Sequence, residues 1–283
     1  MTLNRDGFLS PDIEPLAVEA WRDYCPAHVA LVARVNQSAI ALLVVPRDIQ
    51  LRDADLFAVT LFGRAVQDFE GAVLLAVRGL RAQSRSMARS TFETALYCVA
   101  ASRDLVLSQG AKKKPKKDEA ATTRFIEAFE GGHQRYRSHM ATELRVMEGL
   151  PNEKVPELDA VLDEIGTPGQ HQDIDLYGLA LDLKLADLYT IVYRSLSQDA
   201  HPSATSLQHH VESTDSGQIT GLRIGPDYEQ LADTLALAAC SLLVAMEGFA
   251  DRFGTAEELD AVKALVRAYR ELHEGHDGAV GPS

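Results

Sequence analysis

Cysteine and aromatic residues are both scarce in this sequence of 283 residues. The three cysteines, Cys25, Cys98 and Cys240, lie far apart and form no C-x-x-C pair, which excludes a disulfide framework and the common zinc-ribbon motifs. Aromatic residues make up 6% of the chain, and alanine, leucine and valine dominate the apolar positions. This composition favours helices packed on helices over a β-sandwich.

Long apolar runs are missing as well. The longest runs, such as residues 39–45 (AIALLVV), are far too short to cross a bilayer. Residues 1–15 contain no apolar segment of the kind that marks a secretory signal peptide. We therefore expect no membrane contact, and the unpaired cysteines are typical of a reduced, cytoplasmic protein.

Motifs that would hold a metal or a cofactor are also lacking. His201, His209 and His210 are close in sequence, and His133 and His139 share one helical stretch. None of them stands in a carboxylate-rich pattern such as H-E-x-x-H. The chain has no glycine-rich phosphate loop and no nucleophile elbow of a serine hydrolase. The sequence therefore predicts neither a metal site nor a cofactor.

Acidic residues outnumber basic ones in this sequence, and the charges are unevenly distributed. The formal net charge of −13 argues against broad affinity for nucleic acid over the whole molecule. Residues 78–117, however, contain ten basic and two acidic residues, a net charge of +8. Such a basic island in an acidic chain indicates an anion-binding surface or a partner for the protein's own acidic surface.

Apolar residues recur at helical spacing through most of the chain. Residues 36–52, from Asn36 onwards, are expected to be irregular. Thr255 and Glu258 form a capping box at the start of the last predicted helix. The predicted helices lie at 13–35 (two helices divided by Pro26), 53–107 (one kinked helix or two), 118–149, 156–165, 174–200, 227–253 and 255–274.

One hairpin is the only convincing β signal. Residues 207–212 and 218–224 flank the turn sequence TDSG at 214–217, and an isolated hairpin of this kind needs to pack on the helices. The predicted fold is thus mainly α, a single helical bundle with a small β-hairpin near residues 207–224. The predicted domains are a helical extension (1–52), the bundle with a flexible basic linker at 109–117 (53–275), and a disordered tail (276–283).

A polar stripe is predicted at the end of the helix over residues 174–200. Arg194 and His201 are seven residues apart, about 20° around a helix axis, with Ser197 and Gln198 between them on the same face. Pro202 ends the helix, and the helix dipole favours a charged histidine there. The structural alternative is that Arg194 caps the helix carbonyls and His201 is a half-buried histidine with satisfied hydrogen bonds.

A second polar stripe lies on the earlier helix. Arg78, Arg81, Arg85 and Arg89 line one face of it and provide the guanidinium groups that hold phosphate in many proteins. A solvated basic edge is the alternative reading of this face. Glu93 follows Arg89 at i+4, and their apolar neighbours indicate a half-buried pair, which is more often a structural tie than a site.

Two stretches carry a family resemblance. The run RSTFETALY at 89–97, followed by LYTIVYRSLSQDAHPSATSL at 188–207, resembles a family of uncharacterised bacterial helical proteins, known only as a domain of unknown function. That family pairs an R-x-x-x-E helix with a later Y-R-x-L-S-x-x-x-H-x-S helix end. The resemblance covers about residues 55–245 and implies a shared fold and one polar cluster. The matching residues are Arg89, Glu93, Tyr193, Arg194, Ser197, His201 and Ser203.

A fainter similarity points to a different class. Arg194, six residues and then His201 is similar to the motif of the HEPN-type ribonucleases, which are helical bundles that commonly dimerise. This similarity implies that His201 is the acid/base and that Arg194 holds the scissile phosphate. Ser195 departs from the polar residues that this family favours after the arginine. Arg267/His273 and Arg270/His276 fit the same loose spacing in this chain.

Two functions are therefore expected from the sequence. The first is a non-catalytic or ligand-sensing helical protein in which a cluster of Arg89, Glu93, Arg194 and His201 organises the bundle or binds a small anion. The further candidate ligand-binding residues are Arg85, Tyr193 and Ser197. The second is a metal-independent ribonuclease, a toxin or phage-defence effector, in which Arg194 and His201 are catalytic. The expected partners are a second copy of the chain and RNA or a small anion at the arginine face of residues 78–89. Whether the protein is an enzyme is left open.

Overall fold

The computed structural model describes residues 7–43, 53–103, 174–200, 207, 210–214, 216–222 and 224–277. Two compact units divide the chain: Met1–Arg103 with Leu185–Ser283, and Asp104–Lys184. Predictions for the basic linker, for the helices at 118–149 and 156–165, for His201 and for most of the tail lie outside the described residues. Apart from one short helix of the second unit, the contacts discussed below lie within the first unit.

The first unit begins with a short 3-10 turn (Gly7–Leu9), followed by α1 (Ile13–Glu19), which leads into a π-helical segment (Ala20–Tyr24). Cys25 breaks the helix, and α2 (Pro26–Leu43) starts with proline, which suits the first position of a helix. The two helices divided by Pro26 are confirmed. The irregular segment expected from Asn36 is wrong for residues 36–43, because Ala39 and Leu42 are buried and packing holds the helix together.

The long stretch predicted from Asp53 forms two helices, α3 (Asp53–Val77) and α4 (Arg81–Ser102). The chain turns at Gly79, whose φ of 75° suits glycine. An added Cβ at Gly79 would lie 2.5 Å from Pro226, so this turn also needs the absence of a side chain. The Gly79 carbonyl accepts a hydrogen bond from the Asp227 amide at 2.9 Å, which ties the turn to a distant part of the chain.

The core lies where α3 and α4 pack against α8 (Leu231–Phe253). Phe62 of α3 stacks on Phe249 of α8 with their ring centroids 4.2 Å apart, and both side chains are fully buried. At Gly248 a Cβ would lie 2.8 Å from a methyl group of Val99, so α4 and α8 approach closely there. The helix predicted over residues 227–253 is confirmed as α8, and most of its residues are buried.

The last helix, α9 (Ala256–Asp277), packs on α8 and α2. Its capping box is present: the Thr255 amide donates to Glu258 at 2.7 Å, and the Glu258 amide donates to the Thr255 hydroxyl at 3.2 Å. Each bond satisfies an amide that the first turn of a helix leaves without a partner.

The single helix predicted over residues 174–200 is interrupted. In the second unit, α5 (Leu176–Asp182) starts at Asp175, whose carboxylate accepts the Tyr177 amide. It ends before Lys184, which adopts φ 62° in the left-handed region and therefore cannot continue a helix. In the first unit, α6 (Ala186–Leu188), a second π-helical segment (Tyr189–Tyr193) and α7 (Arg194–Ala200) follow without a break.

The predicted hairpin is confirmed. Strand β1 (Val211–Ser213) pairs antiparallel with β2 (Ile219–Leu222), and the turn closes through the Thr214 amide to the Gln218 carbonyl at 2.9 Å. The expected packing of its apolar side chains on the helices is wrong for the two apolar residues of β2. Ile219 and Leu222 are 68% and 67% exposed. The described chain is thus mainly α with one small hairpin, as the composition predicted.

One described helix, α8, has the length and apolarity of a membrane span, with a mean hydropathy of 1.5. Within the protein, 72% of that stretch is buried, which is the situation of a core helix. The sequence analysis considered only uninterrupted apolar runs, and for that reason it did not identify this predicted helix as a candidate span. The cellular location of the chain stays a prediction.

Candidate functional site at the α4–α7 contact

The expectation that four arginines line one helix face is wrong for Arg78, because the chain turns between α3 and α4 there, and only the other three lie in α4. The four reach different elements of the protein. Arg78, in the turn before α4, pairs with Glu14 of α1 at 2.8 Å. Arg81 is buried, and its guanidinium lies 3.4 Å from the Asp227 carboxylate. These two guanidinium groups join α1 and the segment before α8 to the α3–α4 turn. They therefore bind acceptors within the protein instead of forming an exposed edge.

Arg85 and Arg89, the other two, both reach the helix that contains Arg194. Arg85 is only 6% exposed, and its Nη2 donates to the Ser195 carbonyl oxygen at 3.1 Å. Arg89 donates through Nη2 to the Tyr193 hydroxyl at 2.7 Å. The two bonds grip that helix at residues 193 and 195, on either side of Arg194.

Arg89, Glu93 and Tyr193 form a single cluster. The Arg89 Nε donates to the Glu93 carboxylate at 2.9 Å, which confirms the i+4 pair expected from the sequence. The side chains of Arg89 and Glu93 are 22% and 30% exposed, so the pair is half-buried. The Arg89 guanidinium carbon also lies 4.8 Å from the centre of the Tyr193 ring, within the range of a cation–π contact.

The electrostatics of the cluster keep both Arg89 and Tyr193 in their ordinary protonation states. Burial raises the pKa of the Tyr193 hydroxyl, and the nearby Glu93 carboxylate raises it further, while Arg89 opposes the shift. Burial acts to lower the pKa of Arg89, but Glu93 and Tyr193 outweigh it, and the net pKa is raised. The tyrosine therefore stays a neutral acceptor and the arginine a cation at neutral pH.

The helix of Arg194 has an unusual local geometry. The Arg194 amide donates to the Tyr189 carbonyl, five residues earlier, which is the bond of a π-helix. In this wide turn the Tyr189 and Tyr193 rings stack with centroids 4.6 Å apart. Hydroxyl groups of Thr190, Ser195 and Ser197 each donate to the carbonyl four residues before them, at 2.6–3.0 Å. Such bonds from serine and threonine hydroxyls to the backbone often accompany bends and irregular turns in helices.

Arg194 itself is exposed, and so is Gln198 one turn later. Ser197 is half-buried, and its hydroxyl donates to the Tyr193 carbonyl at 2.6 Å. His201 and Ser203 lie outside the described residues, so the geometry between Arg194 and His201 stays a prediction. The structure thus brings Arg85, Arg89, Glu93 and Tyr193 together with the backbone that carries Arg194.

Sequence reasoning missed two parts of this site. The π-helical turn was not predicted, although the pair Tyr189 and Tyr193 four residues apart offered a signal for a stacked pair on one face. The role of the Ser195 carbonyl leaves no signal in the sequence, because every residue carries the same backbone carbonyl whatever its side chain. Among the residues that the structure describes, no group of three His, Cys, Asp or Glu side chains could hold a metal ion.

Comparison with known proteins identifies a family whose function is unknown. A family model described as a family of unknown function (DUF5677) matches residues 55–219, more than half of the chain. This segment includes α4, the second π-helical segment and α7, and so the whole α4–α7 contact. No curated protein and no solved structure matches the chain.

Proposed function

The chain belongs to the DUF5677 family, whose function is unknown, and we propose from the geometry of the α4–α7 contact that it is a helical protein that binds an anionic ligand through Arg194. One observation carries the proposal. Two α4 arginines hold the backbone at residue 195 and the side chain at residue 193, while the arginine between them faces solvent.

This arrangement suits recognition because it removes much of the disorder that binding would otherwise have to overcome. A cation on a mobile helix loses conformational freedom when it captures a ligand, whereas a helix already clamped to the core loses less. The Arg85 and Arg89 bonds, together with the stacked Tyr189 and Tyr193 rings, supply that clamp. A guanidinium presents a planar fork that matches phosphate and carboxylate groups.

The role of the α4 arginines in this proposal differs from direct contact with the ligand. Arg85 is buried and bonded to a backbone carbonyl, and Arg89 is shared between Glu93 and Tyr193. Their charges support the helix that presents Arg194, and Gln198 adds an exposed amide one turn further on the same face. The anion-binding surface is therefore centred on α7.

The test is ligand-induced thermal stabilisation of the wild-type chain and of Arg194→Ala. The probes are inorganic phosphate, citrate and the four ribonucleoside monophosphates, each at several concentrations. Arg267→Ala is the matched control, because Arg267 is an exposed arginine on α9. A ligand present at 100 times its Kd stabilises the folded state by about 2.7 kcal/mol. We expect at least one probe to raise the Tm of the wild type and of Arg267→Ala but not that of Arg194→Ala. Equal stabilisation of all three proteins would overturn the proposal.

A ribonuclease of the HEPN type is the second candidate, and one observation favours it. The arginine of the Arg-x6-His motif is exposed on a clamped helix, where a scissile phosphate could reach it. The experiment measures cleavage of a mixed RNA pool in EDTA by wild type, Arg194→Ala, His201→Ala and Arg267→Ala, with thermal melts of each. Loss of cleavage in the first two variants, with unchanged melts and an active Arg267→Ala, supports catalysis. No cleavage by the wild type, or equal cleavage by every variant, rejects it.

A further inference from the structure

A carboxylate is buried between α3 and α4, outside the contact already described. Asp68 of α3 is only 3% exposed, and it accepts a hydrogen bond from the Ser90 hydroxyl of α4 at 2.8 Å. The Nε of Arg64, one turn earlier on α3, lies 2.8 and 2.9 Å from the two carboxylate oxygens. The Arg64 side chain is 62% exposed. One partner of this ion pair is therefore inside the protein and the other is in solvent.

The contribution of this pair to stability does not explain its geometry. A buried carboxylate loses its hydration, and the attraction of a mostly exposed arginine offsets only part of that cost, because water screens it. The order along the helix is also the less favourable one, since an acidic residue four positions before a basic residue suits the helix dipole better than the reverse. An apolar side chain at residue 68 would pack between the helices without this cost. The orientation of Arg64 offers a better explanation.

Asp68 holds the Arg64 guanidinium through Nε alone. Among the residues that the structure describes, the two Nη groups of Arg64 have no acceptor. These groups form the planar end of the guanidinium, which can donate two parallel hydrogen bonds to the oxygens of one phosphate or carboxylate group. An anion bound there lies closer to the guanidinium than to Asp68, which is bonded along another edge, so attraction exceeds repulsion.

Arg89 and Arg252, two other paired arginines, use their Nη groups within the protein. Arg89 donates through Nη2 to the Tyr193 hydroxyl, and Arg252 donates through Nη2 to Asp55 at 3.1 Å. Arg252 is the counterpart of Arg64 on the opposite part of the helical core, because its side chain is also partly exposed, at 41%, beside a carboxylate that is 10% exposed. Arg64 differs because its Nη end remains available to a ligand.

We propose that Arg64 binds an oxyanion, a phosphate or carboxylate group, through its Nη end, and that Asp68 and Ser90 are positioning residues for it. Asp68 holds the guanidinium in one orientation, and the Ser90 hydroxyl holds the carboxylate. Binding then costs less conformational freedom than it would for an unrestrained arginine. This inference does not depend on the proposed ligand site, since the adjacent α4 residues Arg89 and Ser90 reach different helices, at Tyr193 and Asp68.

The test is a titration of the full chain with inorganic phosphate and, separately, with acetate, at an ionic strength held constant with chloride. Proton–nitrogen correlation NMR follows the Nε–Hε signals, and Arg64→Lys and Arg252→Lys assign one signal each by its loss. We expect the Arg64 signal to shift to saturation with at least one anion, while the Arg252 signal does not. Saturation with one anion alone assigns the ligand class. No saturable shift with either, or equal shifts at both arginines, overturns the proposal.

Asp68→Asn tests the positioning role by the direction of the change. The variant removes a negative charge near the anion, so simple electrostatics predicts tighter binding, whereas loss of the held orientation predicts weaker binding. We expect the dissociation constant, measured from backbone amide shifts of residues 64–68, to rise about threefold or more, the order of one weakened hydrogen bond. Tighter binding would show that Asp68 only opposes the anion, and the positioning role would be rejected.

Ser90→Ala and Arg194→Ala complete the test. Ser90→Ala removes the bond to the Asp68 carboxylate without changing any charge, and it too should weaken binding; unchanged affinity would reject the role of Ser90. It serves in place of Asp68→Asn if thermal melts show that Asp68→Asn does not fold. Arg194→Ala should leave the response of the Arg64 signal unchanged, because Arg194 lies on α7. Loss of that response in a folded Arg194→Ala variant would place the anion on α7 and overturn this inference without affecting the proposed function.

Discussion

At the scale of single residues, the Tyr193 hydroxyl joins two segments that are 104 positions apart in the sequence. It accepts a charge-assisted bond from Arg89, and its ring lies under the same guanidinium. Arg89 also donates a hydrogen bond to Glu93, so its guanidinium group is bonded to both Glu93 and Tyr193. The contact therefore supports the bundle whether or not a ligand binds at Arg194.

Tyr193→Phe isolates the hydroxyl, because it leaves the ring and its cation–π contact in place. We expect the variant to lose about 1.5 kcal/mol of the free energy of unfolding, since a partly exposed bond to a charged group contributes near the lower end of its range. Urea denaturation measures the loss. Tyr24→Phe is the control, because Tyr24 is exposed and its contact with the Tyr228 ring survives the change. Equal stability of Tyr193→Phe and the wild type would show that the bond is only incidental.

A second prediction concerns the buried thiol of Cys98. Burial raises its pKa from 9.0 to about 12. Between these values the unfolded chain releases the proton and the folded chain keeps it, so the stability contributed below pH 9 is lost as pH rises towards 12. The loss is about 1.4 kcal/mol for each pH unit. Burial also raises the pKa of Tyr228 from 10.0 to about 12, which adds a loss that begins above pH 10.

Comparison with Cys98→Ala separates the thiol from the tyrosines. Between pH 9 and pH 10 the wild type should lose more stability than the variant, by about 1 kcal/mol, as measured by urea denaturation at each pH. The alanine variant starts less stable because of the smaller side chain, so the slopes are compared and not the absolute values. Identical slopes in this window would mean that the thiol does not keep its proton in the folded state.

What the sequence could predict at this scale follows from distance along the chain. The Arg89–Glu93 pair was predictable because the two residues are four apart on one helix. The bonds from Arg85 to Ser195 and from Arg89 to Tyr193 were not, because they join helices more than a hundred residues apart and no local pattern records them. The resemblance placed both stretches in one polar cluster without saying which atoms meet.

At the scale of helices and strands, boundaries were predictable where a few adjacent side chains form the cap or the turn. The capping box at Thr255 and the turn at residues 214–217 were readable, since each depends on a few adjacent side chains. The break at Lys184 could not be predicted, because a left-handed backbone is unusual for lysine and no glycine at that position indicates it. The length of α2 was underestimated for another reason: burial against α8 and α9 outweighs the weak helix preference of Asn36.

The turn at Gly79 yields a prediction for the α3–α4 junction. Gly79 and Gly217 both have positive φ, but an added Cβ at Gly217 meets nothing within 4 Å, whereas at Gly79 it would lie 2.5 Å from Pro226. Gly217→Ala should therefore cost about 1 kcal/mol or less, the backbone strain alone. Gly79→Ala should cost a further 1–3 kcal/mol or so for the steric overlap.

Thermal and urea unfolding of both glycine variants measure these costs. The Gly79 change should also weaken the bond from the Asp227 amide to the Gly79 carbonyl, visible as faster exchange of that amide. If both variants lose equal stability, the contact with Pro226 contributes nothing and the strain is purely local.

At the scale of the whole molecule, the first compact unit is formed by two separate segments of the sequence. The first compact unit is built from residues on both sides of the second, Asp104–Lys184. The core of the first unit, α3, α4 and α8, with α2 and α9 on α8, lies outside that intervening segment. The predicted bundle over 53–275 spans both units and stays a prediction, since helical periodicity marks helices and does not mark which of them pack together.

A deletion tests whether the first unit folds by itself. Residues 104–184 are replaced by glycine–serine linkers of 20 and 40 residues, whose r.m.s. lengths are roughly 25 and 35 Å. We expect both variants to unfold in one cooperative transition, because the stacked Phe62–Phe249 pair and the close contact of Gly248 with Val99 lie within the retained residues. Near-ultraviolet circular dichroism and calorimetry measure this. Loss of cooperative melting with both linkers would mean that residues 104–184 stabilise the core, and failure with the shorter linker alone would mean only that its reach is too small.

If the variants fold and still respond to the ligand probes as the wild type does, the α4–α7 contact is sufficient for binding, because α4 and α7 are both retained.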